Sequence, residues 1–210
     1  MNPVVSPSIL ATTDKDYATQ MHRVAEFAQR VQIDLMDGEF ASPASVGLSS
    51  VWWPTILKAD IHLMYQNPMD HLKELIKLRP HMVIVHAEAH VHHMHFAAEL
   101  HKEEILAGLA ILPETPIENI EQILHSFDQL MIFSGNLGHF GGEADLGLLK
   151  KVRQAKVHHA DIEIGWDGGV NDQNIKQLAD GGVDVFGVGG FIQKADDSKK
   201  AYEELEKILD

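Results

Sequence analysis

The sequence predicts a single (β/α)8 barrel, the TIM-barrel architecture, with residues 1–210 forming one domain. Three observations predict it. Eight short apolar runs alternate with longer segments of helical period, the pattern of a parallel sheet wrapped by helices. No Gly-x-Gly-x-x-Gly follows the first run, which disfavours the doubly wound open sheet. A chain of 210 residues is long enough for one sizeable core and short for two full domains.

In chain order, the first strand-like run is Val4–Leu10, followed by helical period over Asp14–Gln29. Val31–Leu35 comes next, and its following segment, Leu48–Lys58 with Trp52, Trp53 and Pro54, is the weakest helical stretch. Ala59–Met64 leads to Pro68–Lys77, Met82–His86 to His92–His101, and Ile105–Ile111 to Pro116–His125. Gln129–Phe133 precedes Asp145–Gln154, Asp161–Ile164 precedes Asn171–Ala179, and Val183–Val188 precedes Asp196–Leu209. No linker or low-complexity tract interrupts the series.

Composition narrows the partners. Seventeen Lys and Arg against thirty-one Asp and Glu give a formal charge of −14, a field that repels nucleic acid and anionic membranes. An anionic ligand therefore needs a local pocket of backbone N–H groups, a cation or a metal. The absence of cysteine excludes disulfides, thiolate metal sites and cysteine catalysis, and fits a cytoplasmic protein. Residues 1–7 have no basic region followed by an apolar core, so no signal peptide is expected, and no apolar run reaches the roughly 20 residues of a membrane span.

Barrels of this kind carry their chemistry on the loops after the strands. Two features stand at those ends. Gly141-Gly142, Gly168-Gly169 and Gly189-Gly190 follow strands six, seven and eight. Glycine lets backbone approach a ligand and expose successive N–H groups, and loops seven and eight of such barrels commonly hold a phosphate. A single glycine pair is more often only a tight turn; three on neighbouring loops favour the phosphate. The second feature is Asp34, His62 and Asp167 on strands two, three and seven. Two carboxylates on opposite walls suit paired acid/base work, and the trio suits a divalent metal. Taken singly, each Asp reads as a cap on nearby N–H groups.

Pro7-Ser8-Ile9-Leu10, Asp34-x-Met36-Asp37-Gly38-x-Phe40, His62-Leu63-Met64-x-x-Asn67-Pro68, Val85-His86-Ala87-Glu88 and Asp167-Gly168-Gly169-Val170-Asn171 resemble, in order, the signature blocks of ribulose-phosphate 3-epimerases. The resemblance covers nearly the whole chain. It implies inversion of C3 of a phosphorylated ketopentose through an enediolate. By the resemblance, Asp34 and Asp167 are the acid/base pair, Ser8 contacts substrate, and the glycine pairs hold its phosphate. His62, with the two carboxylates, would bind a divalent Zn, Mn or Fe, and the protein would be a homo-oligomer.

The sequence departs from the family pattern at several places. Gln32 stands where the family's His-x-Asp block has a metal-binding His, leaving three protein ligands and an amide, so zinc should suffer most. The sixth loop, Asn136-Leu137-Gly138-His139-Phe140-Gly141-Gly142-Glu143, is one residue longer than the family's, lacks its proline and ends in a carboxylate that would repel a phosphate unless turned away. Phe133 replaces a methionine, and Gly190 replaces a serine. These changes motivate a second reading, a non-catalytic phosphosugar-binding barrel. A decarboxylase or aldolase would want a strand-end lysine, and none stands at the ends considered. His90, His92, His93 and His95 read as a solvated helix start, His86 as a strand-end residue placed to line the cavity, and Trp52 and Trp53 as packing against the barrel and a partner subunit.

Overall fold

Strands buried on both faces need apolar residues on the outside and small, polar or catalytic ones inside, and the register delivers this. The computed structural model describes residues 3–139 and 141–210; Phe140, named in the sixth loop above, lies outside the described residues. Eight parallel strands close in sequence order: β1 (Val4–Ile9), β2 (Arg30–Met36), β3 (Lys58–Met64), β4 (Met82–His86), β5 (Leu106–Ile111), β6 (Gln129–Phe133), β7 (Glu163–Asp167) and β8 (Val185–Val188). Ile33, Leu35, Ile61, Leu63, Val83, Val85, Leu130, Ile132 and Trp166 join the large core between the strands and the outer layer. Their alternate neighbours turn inward.

The outer layer holds α1 (Asp14–Ala25), α2 (Leu72–Leu78), α3 (His93–Lys102), α4 (Leu149–His158), α5 (Ile175–Asp180), α6 (Gly190–Gln193) and α7 (Ser198–Leu209). Helix α1 shows why such a segment forms. Thr13 caps it by accepting from the Asp16 N–H at 3.2 Å, and Tyr17, Met21 and Val24 recur on the buried face. Each such side chain contributes about 1.5–3 kcal/mol of burial.

Two units lack the expected helix. Leu48–Lys58 contains only a 3-10 turn, Leu48–Ser50. There the Tyr17 hydroxyl donates to the Trp52 carbonyl at 2.7 Å and accepts from its N–H at 3.3 Å, so a side chain takes the bonds a helix would make. Pro116–His125 forms two 3-10 turns, Ile117–Asn119 and Leu124–Ser126. Ile117, Ile120 and Leu124 are buried as the period required, but the β-branched residues there favour the α-helix weakly. Strand β7 also starts and ends later than the run Asp161–Ile164, because the strand passes through Gly165. A Cβ at Gly165 would lie 2.9 Å from the Gln129 amide oxygen, so the barrel interior admits only glycine without displacement.

Inside, the barrel has three layers. At the amino-terminal end, buried Arg30 pairs with Asp60 and forms two 2.9 Å bonds to Glu163. Gln129 donates to Glu163 at 2.7 Å, and His81 meets Asp60 at 2.8 Å. Above them Met82, Ile84, Ala110 and Met131 form an apolar layer. Above that, at the carboxyl ends, lie the residues of the site.

Candidate active site

The period of two puts Gln32 and Asp34 on the inner face of β2, and the register sets Asp34 beside His62 and Gln32 beside Ser8. Asp167 closes β7, with its backbone fixed by the Ser134 N–H donating to its carbonyl at 2.7 Å. Gln32 Nε2 donates to Asp34 Oδ1 at 2.8 Å and to Asp167 Oδ2 at 2.7 Å, so one amide links the two carboxylates. His62 Nδ1 lies 3.0 Å from Asp34 Oδ1 and 3.4 Å from Asp167 Oδ2. On its other side, His62 Nε2 is 2.8 Å from His86 Nε2. Among the described residues the buried Ser8 hydroxyl has no hydrogen-bond partner, although the Ser8 carbonyl accepts from Gln193 at 3.0 Å.

This crowding sets the charges. Burial, reinforced by the charge of Asp167, raises the Asp34 carboxyl above its ordinary value. Burial alone would lower His62, but its bonds to Asp167 and Asp34 and their charges outweigh that and hold it up at about 9. Burial pushes His86 down to about 4, against the opposing influence of Glu88. Glu88 resists burial through His86, Thr115 and the Leu112 N–H, and falls to about 2.

The site opens into a cavity of about 290 Å³. Its walls include Ser8, Asp34 and Asp167 together with all six predicted glycines, Gly141, Gly142, Gly168, Gly169, Gly189 and Gly190. At Gly168 and Gly169 φ is +110° and +72°, and an added Cβ would collide with the backbone of Gly135 and of Glu143 and Ala144 respectively. Loops six and seven therefore touch backbone to backbone. Glu143, which would repel an anion from inside, is exposed and does not line the cavity.

His62 is fully buried and sits behind the two carboxylates instead of lining the cavity. His86 likewise stands behind the wall, against His62. His92 caps α3 by accepting from the His95 N–H at 3.3 Å, while His93 meets the His86 carbonyl at 2.9 Å, so the histidine cluster serves the helix start. Trp52 is half-exposed and meets Tyr17 edge-on and His22 at a tilt, and Trp53 packs on the core. Sequence reasoning missed Lys194, among the described residues the one lysine or arginine lining the cavity. It follows the short helix α6, beyond the strand end, and the signal would have been the first cation after the Gly-Gly loop.

A divalent cation has a suitable set of donors here. Among the described residues, the ligand atoms of Asp34, His62 and Asp167 all lie within 4.8 Å of one another. The Gln32 amide already bridges both carboxylates, and turning it end for end would present its oxygen to the same point. Two carboxylate oxygens, one imidazole nitrogen and one amide oxygen form a donor set compatible with Mn²⁺ or Fe²⁺ as well as Zn²⁺.

Fold and site together define a (β/α)8 barrel with two carboxylates lining one cavity at the carboxyl ends of its strands. The model of the Ribulose-phosphate 3 epimerase family matches residues 4–192. The ribulose-phosphate 3-epimerase of Mycobacterium tuberculosis is 33% identical over 215 residues, covering 98% of this chain and 92% of that protein. The enzyme of the same name from Helicobacter pylori is 32% identical over 213 residues, covering 97% of each. The one from Bacillus subtilis is 30% identical over 215 residues, covering 96% of this chain and 97% of that one. The chain belongs to the ribulose-phosphate 3-epimerase family and is an isomerase. Among solved structures, a tryptophan synthase from M. tuberculosis aligns with TM-score 0.75 at 13% identity, over 100% of this chain and 94% of that one. The 3-hexulose-6-phosphate synthase of Salmonella typhimurium gives 0.72 at 12%, over 98% of each. At that identity they share the fold alone.

Proposed function

We propose that the protein is a 3-epimerase of a ketose phosphate such as ribulose 5-phosphate, working by two-base proton transfer. The observation that carries the reading is the pair Asp34 and Asp167. They come from β2 and β7, which are separated in the ring by β8 and β1, and meet at one cavity beside the glycine loops. One carboxylate takes the C3 proton as negative charge moves onto the neighbouring carbonyl oxygen. The other carboxyl delivers a proton to the opposite face of the planar enediolate. Each turnover moves one proton from one carboxyl to the other, and exchange between them or with solvent restores the starting state. The raised Asp34 carboxyl is the direction that suits a group holding a proton near neutral pH.

Backbone amides of the three Gly-Gly loops would hold the phosphate, with Lys194 at the same cavity countering its charge. The unpartnered Ser8 hydroxyl would meet a sugar oxygen. Asp34, His62 and Asp167 would hold a divalent metal, which when bound stabilises negative charge on the enediolate oxygens. No helix among the described residues is long and apolar enough to cross a membrane.

The test is turnover of ribulose 5-phosphate alongside metal content, with and without added Zn²⁺, Mn²⁺ and Fe²⁺. Metal-dependent epimerisation is expected. Tight sugar-phosphate binding with no turnover of any ketose phosphate would favour the non-catalytic binding barrel. A further prediction concerns Gln32. Gln32→His should raise Zn²⁺ affinity by about 10–100-fold, the scale on which even supporting partners change metal affinity. A chelator-competition titration measures it, and an unchanged affinity would mean that position 32 does not reach the metal.

A further inference from the structure

Behind His62 lies a buried chain of groups that neither the fold nor the proton transfer uses directly. His62 Nε2 faces His86 Nε2 at 2.8 Å, and His86 Nδ1 faces Glu88 Oε2 at 3.4 Å. Both rings are fully buried. The other oxygen of Glu88 accepts from the Leu112 N–H at 3.0 Å and from the Thr115 hydroxyl. That loop is itself held by Lys151, whose ammonium donates to the carbonyls of Leu112 at 3.0 Å, Pro113 at 2.8 Å and Thr115 at 2.7 Å. Glu88 is thus anchored, with one oxygen left for His86.

A single proton lies between the two Nε2 atoms, and its owner decides the rest. If His86 owned it, the neutral His86 ring would turn a bare Nδ1 lone pair toward the Glu88 carboxylate, a repulsive contact between two acceptors. If His62 owns it, His86 carries its proton on Nδ1 and donates it toward Glu88. The carboxylate therefore selects the second arrangement. His62 then donates from Nε2, and its Nδ1 is the atom left facing Asp34 and Asp167, as the ligand of a cation there must be.

We propose that Glu88, acting through His86, is a positioning residue that fixes the tautomer of His86 and so keeps a proton on His62 Nε2, leaving Nδ1 as the nitrogen that gives its proton up to a metal. Its consequence for the metal rests on the epimerase reading above; the tautomer itself does not.

Glu88→Gln tests it with little change of shape. The amide oxygen can keep the bonds from Leu112 and Thr115, which puts the amide N–H₂ toward His86 Nδ1. A donor there demands an acceptor, so the relay should reverse: His86 holds its proton on Nε2, and His62 gives up its Nε2 proton and keeps the one on Nδ1. Long-range ¹H–¹⁵N correlation spectra of the histidine rings in the metal-free protein read this directly. The expected result is His86 protonated on Nδ1 in the wild type and on Nε2 in the variant, with Mn²⁺ affinity lowered by about 10–100-fold. His86 protonated on Nε2 in the wild type would overturn the proposal without any variant. So would a variant in which the His86 proton moves while Mn²⁺ affinity stays unchanged. If the tautomers and Mn²⁺ affinity behave as stated but no ketose phosphate turns over, the relay stands and the epimerase reading falls.

Discussion

Asp167→Asn is expected to lower epimerase turnover by about 10²–10⁴-fold, the usual worth of a positioned acid/base group. Asparagine keeps the size of the side chain and can still accept from Gln32 Nε2, but it cannot take up a proton from carbon. Its backbone position is held by the Ser134 N–H and by pairing with Phe133 and Gly187, so the substitution should leave β7 in place. The measurement is incorporation of deuterium from D₂O at C3 of ribulose 5-phosphate. Loss of epimerisation with retained sugar-phosphate binding is expected, with exchange surviving only from the epimer whose C3 proton faces Asp34. Exchange from both epimers at the wild-type rate would sink the two-base mechanism. Asp167 also belongs to the three-donor cluster, so the metal content of the variant has to be measured in parallel.

The second large effect lies at the opposite end of the barrel. Arg30→Met should destabilise the fold by about 3–5 kcal/mol, because it removes the cation from a buried network and leaves the carboxylates without it. Asp60 is 2% exposed and would keep only His81; Glu163 would keep only Gln129. The sign of the pH response follows from Glu163, which Arg30 holds below its ordinary value against burial. A depressed carboxyl contributes stability that is present above its unfolded value and fades as pH falls through its folded one. The wild type therefore loses this contribution on acidification. In the variant Glu163, without its cation, should instead take up a proton readily, narrowing the gap at low pH. Urea unfolding of both proteins at neutral and mildly acidic pH measures it. A loss under about 1 kcal/mol would show that water solvates the layer. Replacing Arg30, Asp60 and Glu163 together by apolar residues should cost far less than the single change.

Much of this architecture was readable from the residues because the strands are buried on both faces and so appear as unbroken apolar runs. The glycine pairs and the triad Asp34, His62 and Asp167 were readable for a related reason: position relative to a strand end fixes which way a side chain turns. The missing helices of the second and fifth units were not. Their buried residues obey a helical period, and what displaces the helix is a distant partner, the Tyr17 hydroxyl, in one case and weak local preference in the other. Strand β7 was misplaced because Gly165 looks like a breaker until the Gln129 side chain filling its space is seen. The same limit applies at the site. Gln32 reads as a lost ligand, and only three dimensions reveal it as the amide that ties two carboxylates together. His86 and Glu88 are two residues apart in sequence, but their role depends on His62, one strand away.

The apolar layer of Met82, Ile84, Ala110 and Met131 has a consequence for how such a protein can change. It separates two charged networks within one barrel, much as an insulator separates two conductors. Exchanges of charge at the mouth, such as an imidazole for an amide at position 32, need not disturb the ion pairs that hold the other end closed. The molecule can thus explore new ligand sets and new substrates at one end while the groups at the other stay mutually paired. Mutational libraries confined to the mouth should accordingly yield many more folded variants than libraries of equal size aimed at the Arg30 layer.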